Sequence, residues 1–239
     1  MSGPLSRQNE AANRLNAVRE RIVRAAERSG RDPGEVTLVA VSKTQSAARV
    51  IELAEAGQRV FGENRVQEAR EKIPEVAVGW SGPPLLWRLV GHLQRNKVRP
   101  ALDLFPWLDG VDSIRLLEEL EMEAGRRAVG ARVLLQFNCS GEATKSGFQP
   151  GDVEALAGRL GDLRNVEIGG LMTIGPLDTD PESARPAFRR LREIRDELSE
   201  RTGRSLAELS MGMSGDLETG IEEGATLVRV GTALFGARE

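Results

Sequence analysis

The chain has 239 residues, 40% of them hydrophobic, and a formal net charge of −3, which suits one sizeable domain and gives no electrostatic ground for binding nucleic acid or an anionic membrane surface. No apolar run approaches the ~20 residues of a membrane-spanning helix, and the opening residues lack the apolar stretch of a secretory signal. One cysteine, Cys139, excludes an internal disulfide and fits a reducing cytoplasm, and with a single histidine, His92, it leaves no Cys/His metal cluster.

Residues 6–30 place Leu15, Val18, Ile22 and Ala25/Ala26 on one face of an amphipathic helix, with Gly30 as its stop. Short apolar runs then alternate with helical patterns. Strands are predicted over 36–41, 59–62, 85–90, 107–111, 132–137, 166–172, 205–209 and 227–230. Helices are predicted over 46–56, 64–73, 113–125, 151–160, 186–202 and 216–224, the fifth packing through Phe188, Leu191, Ile194 and Leu198 and ending at Gly203. Most strands are continuous apolar runs, as parallel strands covered by helices require. Eight strands repeating every roughly 25 to 30 residues match a closed (β/α)8 barrel better than an open doubly wound sheet. The eighth helix is missing or very short, and the N-terminal helix is expected to fill its place. One domain is expected over residues 1–239.

Function in such barrels sits at the carboxyl ends of the strands. Those ends leave Ser42-Lys43, Glu63-Asn64, Gly91-His92, Asp112, Asn138, Thr173, residues 210–214 and Gly231-Thr232. Polar strand ends also serve wet loops and helix caps, and Asp112 and Ser113 read as plain N-caps. Only four of the 33 basic residues are lysines: Lys43, Lys72, Lys97 and Lys145. An arginine cannot replace a lysine in imine chemistry, because its guanidinium stays protonated.

Lys43 ends the most apolar strand and shares side-chain parity with Val39 and Val41, which points its amine inward at the barrel mouth. A desolvated amine sheds its proton more readily, as nucleophilic attack on an aldehyde requires. The alternative is a lysine snorkelling along the rim. Two small loops add weight to the first reading: Ser210-Met211-Gly212-Met213-Ser214-Gly215-Asp216 before a helix, and Val230-Gly231-Thr232-Ala233. Glycines admit a phosphate to backbone N–H groups, hydroxyls add donors, and barrels often bind phosphate after strands seven and eight. Arg229, between Val228 and Val230, is either an internal salt bridge or a ligand contact facing the same mouth; Arg88 poses the same question. Lys145 is a second candidate amine or a rim lysine. Cys139 reads as structural, no histidine motif being at hand to activate it.

Taken in order, Ala40-Val41-Ser42-Lys43, Phe61-Gly62-Glu63-Asn64, Val90-Gly91-His92-Leu93-Gln94, Lys145-Ser146-Gly147-Phe148, Gly170-Leu171-Met172, the 210–216 loop and Val228-Arg229-Val230-Gly231-Thr232-Ala233-Leu234-Phe235-Gly236 resemble the pyridoxal 5′-phosphate (PLP) homeostasis family from about Val36 to Gly236. The resemblance implies an α/β fold like the N-terminal barrel of alanine racemase (fold-type III) with PLP at the strand ends. It implies that Lys43 carries PLP as an imine (Schiff base), that Ser210, Ser214, Gly231 and Thr232 surround its phosphate, and that Asn64, Met172 and Met211 lie near the ring. Arg229 would face the pyridine nitrogen and, as a permanent cation, weaken the ring as an electron sink. The chain departs from the family at Arg88, where a histidine is usual, at Arg65, where an aromatic residue is common, and at Gly220, where a better helix former is common.

Three functions compete. The first is a cytoplasmic carrier, expected to be monomeric, that holds PLP on Lys43 and delivers it to PLP-dependent apo-enzymes without substantial turnover. The second is an amino-acid racemase or decarboxylase of weak activity. Racemisation needs a proton donor on each face of the substrate, and the chain has no tyrosine, the residue that the alanine racemase type uses, leaving His92 or Cys139 as substitutes. The third is a PLP-free Schiff-base aldolase or phosphosugar isomerase.

Overall fold

The apolar runs become eight strands: β1 (Thr37–Val41), β2 (Val60–Glu63), β3 (Leu86–Leu89), β4 (Trp107–Val111), β5 (Ala131–Gln136), β6 (Val166–Met172), β7 (Glu208–Ser210) and β8 (Leu227–Val230). Each pairs in parallel with the next and β8 pairs back onto β1, with Val39 beside Arg229, so the sheet closes into a barrel. This computed structural model describes residues 4–236; residues 1–3 and 237–239, which the expected domain includes, lie outside the described residues.

Helix α1 (Pro4–Arg28) precedes the barrel. Helices α2 (Ala47–Glu55), α3 (Val66–Gly79), α4 (Val98–Leu104), α5 (Ile114–Arg127), α6 (Val153–Leu160), α7 (Arg185–Thr202) and α8 (Leu217–Glu222) link successive strands, and α9 (Thr232–Phe235) follows β8. The architecture is the expected (β/α)8 barrel. Among the described residues, no helix is long and apolar enough to cross a membrane.

Alternation along each strand sorts side chains into two cores. Leu38 and Ala40 join the large core beneath the helices, whereas Val39 packs with Val90 and Leu227, supported by Val41 and Val60, inside the barrel. The interior also holds charge. Arg88 donates from Nε to both oxygens of Asp109 at 3.0 and 2.9 Å and from Nη2 to Glu208 at 2.6 Å, and it lies 4.3 Å above the Trp107 ring. Desolvation of this cluster is tolerable because Arg88, Asp109 and Glu208 are paired with one another.

With α9 a single turn, the last helical position is nearly vacant, and α1 packs there against α2, α8 and α9. Leu15, Val18, Ile22, Ala25 and Ala26 are its buried face, as the periodicity predicts, and Gly30 at φ +66° ends the segment. Three expectations needed adjustment. Helix α4 was not anticipated, since it is seven residues long with Pro100 in its first turn. Helix α3 runs through Pro74 to Gly79 instead of stopping at residue 73. Strand β7 keeps only three residues: Leu206 is buried in the core without joining the ladder.

One outer-layer carboxylate gathers several donors. Glu121 of α5 accepts from the backbone N–H groups of Arg164 (2.9 Å), Asn165 (3.0 Å) and Val166 (2.9 Å) and from the Asn165 amide (2.7 Å), fixing the entry to β6. Burial works to raise its pKa, but these donors outweigh it and hold the carboxyl below its ordinary range. Glu121→Ala is therefore expected to cost about 1.5–3 kcal/mol at neutral pH. A depressed folded pKa gives stability that is present above the unfolded pKa and lost as pH falls through the folded one. Urea titrations of both proteins should converge in acid; a gap that persists there would show that the carboxylate charge is not the source.

Candidate functional site

Lys43 stands just past the end of β1, half-buried, in the inward-facing series of Val39 and Val41. Among the described residues its amine has neither a hydrogen bond nor an ion pair, so nothing but the chain itself holds it in place. The next residue, Thr44, sits at φ +64°, a left-handed conformation that is uncommon for a β-branched side chain and clusters at functional sites.

The neighbouring strand ends crowd in on this lysine. A Cβ on Gly231 would lie 3.3 Å from the Val41 carbonyl oxygen, so the loop after β8 lies against the end of β1. A Cβ on Gly91 would lie 2.3 Å from the Asn64 carbonyl oxygen; only glycine permits that approach of the β2 and β3 ends. Lys43, Asn64, Gly231 and Thr232 thereby share one part of the rim, with Thr232 exposed.

Beyond β7 the chain turns through Gly212 at φ +93°, and the Met213 N–H donates to Asp216 Oδ1 at 2.6 Å. Arg21 of α1 holds the Ser214 carbonyl at 3.0 Å and pairs with Glu218 at 2.6 Å, so the first helix braces this loop. Gly220 has a packing reason: a Cβ there would lie 3.0 Å from the Met211 carbonyl oxygen and 3.1 Å from Gly212 Cα, so α8 presses down on the loop. That helix has six residues and a carboxylate, Asp216, at its N-cap, which offsets the anion-favouring helix start expected from the sequence. Loop N–H groups and the Ser214 and Thr232 hydroxyls remain as donors.

Arg229 settles one of the open alternatives. Its guanidinium is buried and donates to Ser210 Oγ at 2.6 Å and to the Thr173 carbonyl at 2.8 Å, with no carboxylate in ion-pair range among the described residues. Burial pushes its pKa down to about 10, with Asp109 and Asp216 pulling the other way, and the group stays cationic at neutral pH. The internal salt bridge belongs to Arg88 instead. Two residues of the expected phosphate and ring set are buried. Ser210 is fully buried and accepts from Arg229, and the Met211 side chain is fully buried in the core beneath the helices. Met172, paired in register with both Gln136 and Ser210, is buried.

Further round the rim from Asn64, that residue lines a cavity of about 250 Å³ with His92, Gln136, Asn138, Lys145 and Ser146. The Lys145 amine is occupied, donating to the Gly175 carbonyl at 2.7 Å and to Ser140 Oγ at 3.3 Å and pairing with Glu142. Asp112 is not the cap it was read to be. It lies 2.8 Å from His92 Nδ1, while Ser113 caps α5 through Leu116 N–H at 3.3 Å. The Cys139 thiol is pushed up to about 11 by burial, in keeping with a structural role. Sequence reasoning missed Arg21, Glu68 and Asp109, and it counted Lys72 only as one of four amines; Glu63, inside the Phe-Gly-Glu-Asn block, carried a local signal.

A parallel barrel with a lysine past β1 and glycine loops after β7 and β8 belongs to a described class: the family model for the alanine racemase N-terminal domain matches residues 14–239. The pyridoxal phosphate homeostasis protein of Pseudomonas aeruginosa is 45% identical over 228 residues, covering 95% of this chain and 96% of that one. Its namesake from Aquifex aeolicus is 41% identical over 229 residues, covering 96% and 99%. PipY of Synechococcus elongatus, solved with PLP bound, superposes with a TM-score of 0.82 at 39% identity, covering 95% of this chain and all of that one (100%). The chain belongs to the pyridoxal phosphate homeostasis protein family, a branch of the alanine racemase N-terminal domain barrels.

Proposed function

We propose that this chain is a single-domain PLP-binding protein of intracellular PLP homeostasis, holding the cofactor on Lys43 and releasing it to enzymes that need it. PLP supplies an aldehyde that condenses with a primary amine, and among the described residues the rim offers Lys43 as an amine without a partner, beside two loops suited to a phosphate. The observation that carries the reading is Arg229: a buried cation with no carboxylate partner among the described residues, held by Ser210 and Thr173 at the same end of the barrel. A buried charge left without a counter-ion is costly, and an aromatic nitrogen with a lone pair fits that donor. Lys43 would hold the group through that aldehyde, with water as the leaving molecule. Ser214, Gly231 and Thr232 take the phosphate; Asn64 and Met172 border the ring.

A carrier is favoured over a racemase by the groups available for proton transfer. Cys139 holds its proton to about pH 11, the chain has no tyrosine, and with Lys43 serving one face the second proton donor that racemisation needs falls to His92, which Asp112 already engages at 2.8 Å. Arg229 supports the same choice, because an unprotonated ring stabilises a carbanion poorly. Lys145, tied to Ser140, Glu142 and Gly175, serves as a secondary amine for PLP only after leaving those contacts. The barrel closes within one chain, so a monomer suffices.

The test is an absorbance spectrum with added PLP, then borohydride reduction and peptide mass mapping. A pyridoxyl group on the Lys43 peptide is the expected outcome. Modification only at Lys72 or Lys97, or none, would overturn the site, and amino-acid racemisation at ordinary enzymatic rates would overturn the carrier role.

A further inference from the structure

Lys43 sits at the bend between β1 and α2, and one ion cluster grips the chain on both sides of it. The Lys72 ammonium, on α3, donates to the Ser42 carbonyl at 2.7 Å, to Glu63 Oε1 at 2.8 Å and to Glu68 Oε1 at 2.7 Å. Glu68 Oε1 in turn accepts the Thr44 N–H at 2.5 Å, and Ser42 Oγ donates to Glu63 Oε1 at 2.7 Å. The carbonyl before Lys43 and the amide after it are thus tied to the same Lys72–Glu68 pair. Lys72 has three N–H donors and meets three acceptors, so this second lysine of the rim has no donor left and is 6% exposed.

The turn would not hold itself. Thr44 is left-handed, and a β-branched residue keeps that conformation only where its surroundings impose it. The Lys43 amine has no partner of its own, so its position is inherited from this backbone. Glu63 lies fully buried beneath the turn, with Oε2 unpartnered, and its charge is matched by Lys72 alone. Nothing in the binding reading requires this cluster: none of its members faces the glycine loops or Arg229.

We propose that Lys72 and Glu68 are positioning residues that lock the Ser42–Lys43–Thr44 turn and so set how fast Lys43 engages an aldehyde. The proposal rests on the reading of Lys43 as the PLP anchor. Preorganising a reacting group acts on the rate of bond formation, so the effect should separate from the affinity for the phosphate end.

Lys72→Met leaves Glu63 buried without a cation and risks misfolding, so the decisive variants are Glu68→Ala and Glu68→Gln. Glu68→Gln keeps the carbonyl acceptor for the Thr44 amide, and Thr44→Gly removes the need for the clamp. Two quantities are measured: amide hydrogen exchange at Thr44 in the protein alone, and the rate of borohydride-trappable modification of Lys43 after mixing with PLP. A Lys43→Ala background reports noncovalent PLP affinity. Glu68→Ala is expected to speed Thr44 exchange about tenfold or more, the size set by one hydrogen bond to a charged acceptor. It should slow trapping about tenfold at unchanged noncovalent affinity, with Gln restoring both and Thr44→Gly making trapping insensitive to Glu68. Exchange at the wild-type rate in Glu68→Ala, or trapping unchanged while exchange accelerates, would overturn the clamp. A wild-type protein that shows no adduct on Lys43 overturns the anchor reading, and the positioning role with it; the wild-type trace tells the two failures apart.

Discussion

Lys43→Ala is expected to reduce borohydride-stable pyridoxyl incorporation from one group per chain to none, with the fold intact. Of the four lysine amines, the other three are occupied or distant. Lys72 is saturated by Ser42, Glu63 and Glu68, and Lys145 by Ser140, Glu142 and Gly175. Lys97 lies in the 3-10 turn Arg95–Lys97 after β3, away from the seam between β1 and β8. Lys43→Arg should fail equally, since a guanidinium keeps its charge and offers no free amine. Because alanine removes a half-buried side chain with no polar contacts, thermal unfolding should scarcely move. Intact mass after reduction, with peptide mapping, decides the matter; full stoichiometry on another lysine of the alanine variant would sink the assignment.

The second large effect is on stability. Arg88→Met should cost about 3–5 kcal/mol, because it strands Asp109, fully buried, without its cation. That is a large share of a typical margin of roughly 5–15 kcal/mol. Burial already pushes the Asp109 carboxyl above its ordinary range against the pull of Arg88, and removing that pull raises the folded pKa further. A folded pKa above the unfolded value gives a contribution that is present below the unfolded pKa and lost as pH rises through the folded one. The variant should thus be least unstable in mild acid and worst at neutral pH and above, the reverse of Glu121→Ala. Arg88→Met/Asp109→Asn should recover most of the loss. Urea titrations across pH test all of this, and a neutral-pH penalty under about 1 kcal/mol would show that the interior pair is expendable.

Much of the barrel was legible because its strands are continuous apolar runs and its helices carry a regular stripe. Strands β4, β6 and β8 begin and end where the pattern places them, and the others shift by one to three residues. What the pattern missed has physical causes. Helix α4 is too short to show a period and contains Pro100; β7 is read from apolar residues of which Leu206 packs without pairing. At the site, parity along β1 pointed Lys43 inward, and of the loop glycines Gly212 has a positive φ and Gly231 lies close against the Val41 carbonyl, whereas Gly215 has open space around it. Parity could not say that Ser210 would be taken by Arg229 or that Met211 would face the helices, since both outcomes depend on contacts between strands distant in sequence. Arg88 and Arg229 looked alike as lone charges in apolar runs. Their different fates follow from Asp109, on the strand next to Arg88, and Glu208 on β7, both of which Arg88 engages and Arg229 does not.

The seam where β8 meets β1 joins the two ends of the chain. Lys43 is made early in synthesis, whereas Gly231 and Thr232 emerge only near the end, and Arg21 on the first helix waits for Ser214 and Glu218 before it has anything to brace. A nascent chain on the ribosome therefore carries its amine long before it carries a pocket, and pairing across so many residues is slow to form. On the proposed reading, the pocket around Lys43 is complete only in the finished molecule. A chain cut before β8 would lack the seam and the last loop together, which makes cofactor retention a report on complete synthesis as well as on correct folding.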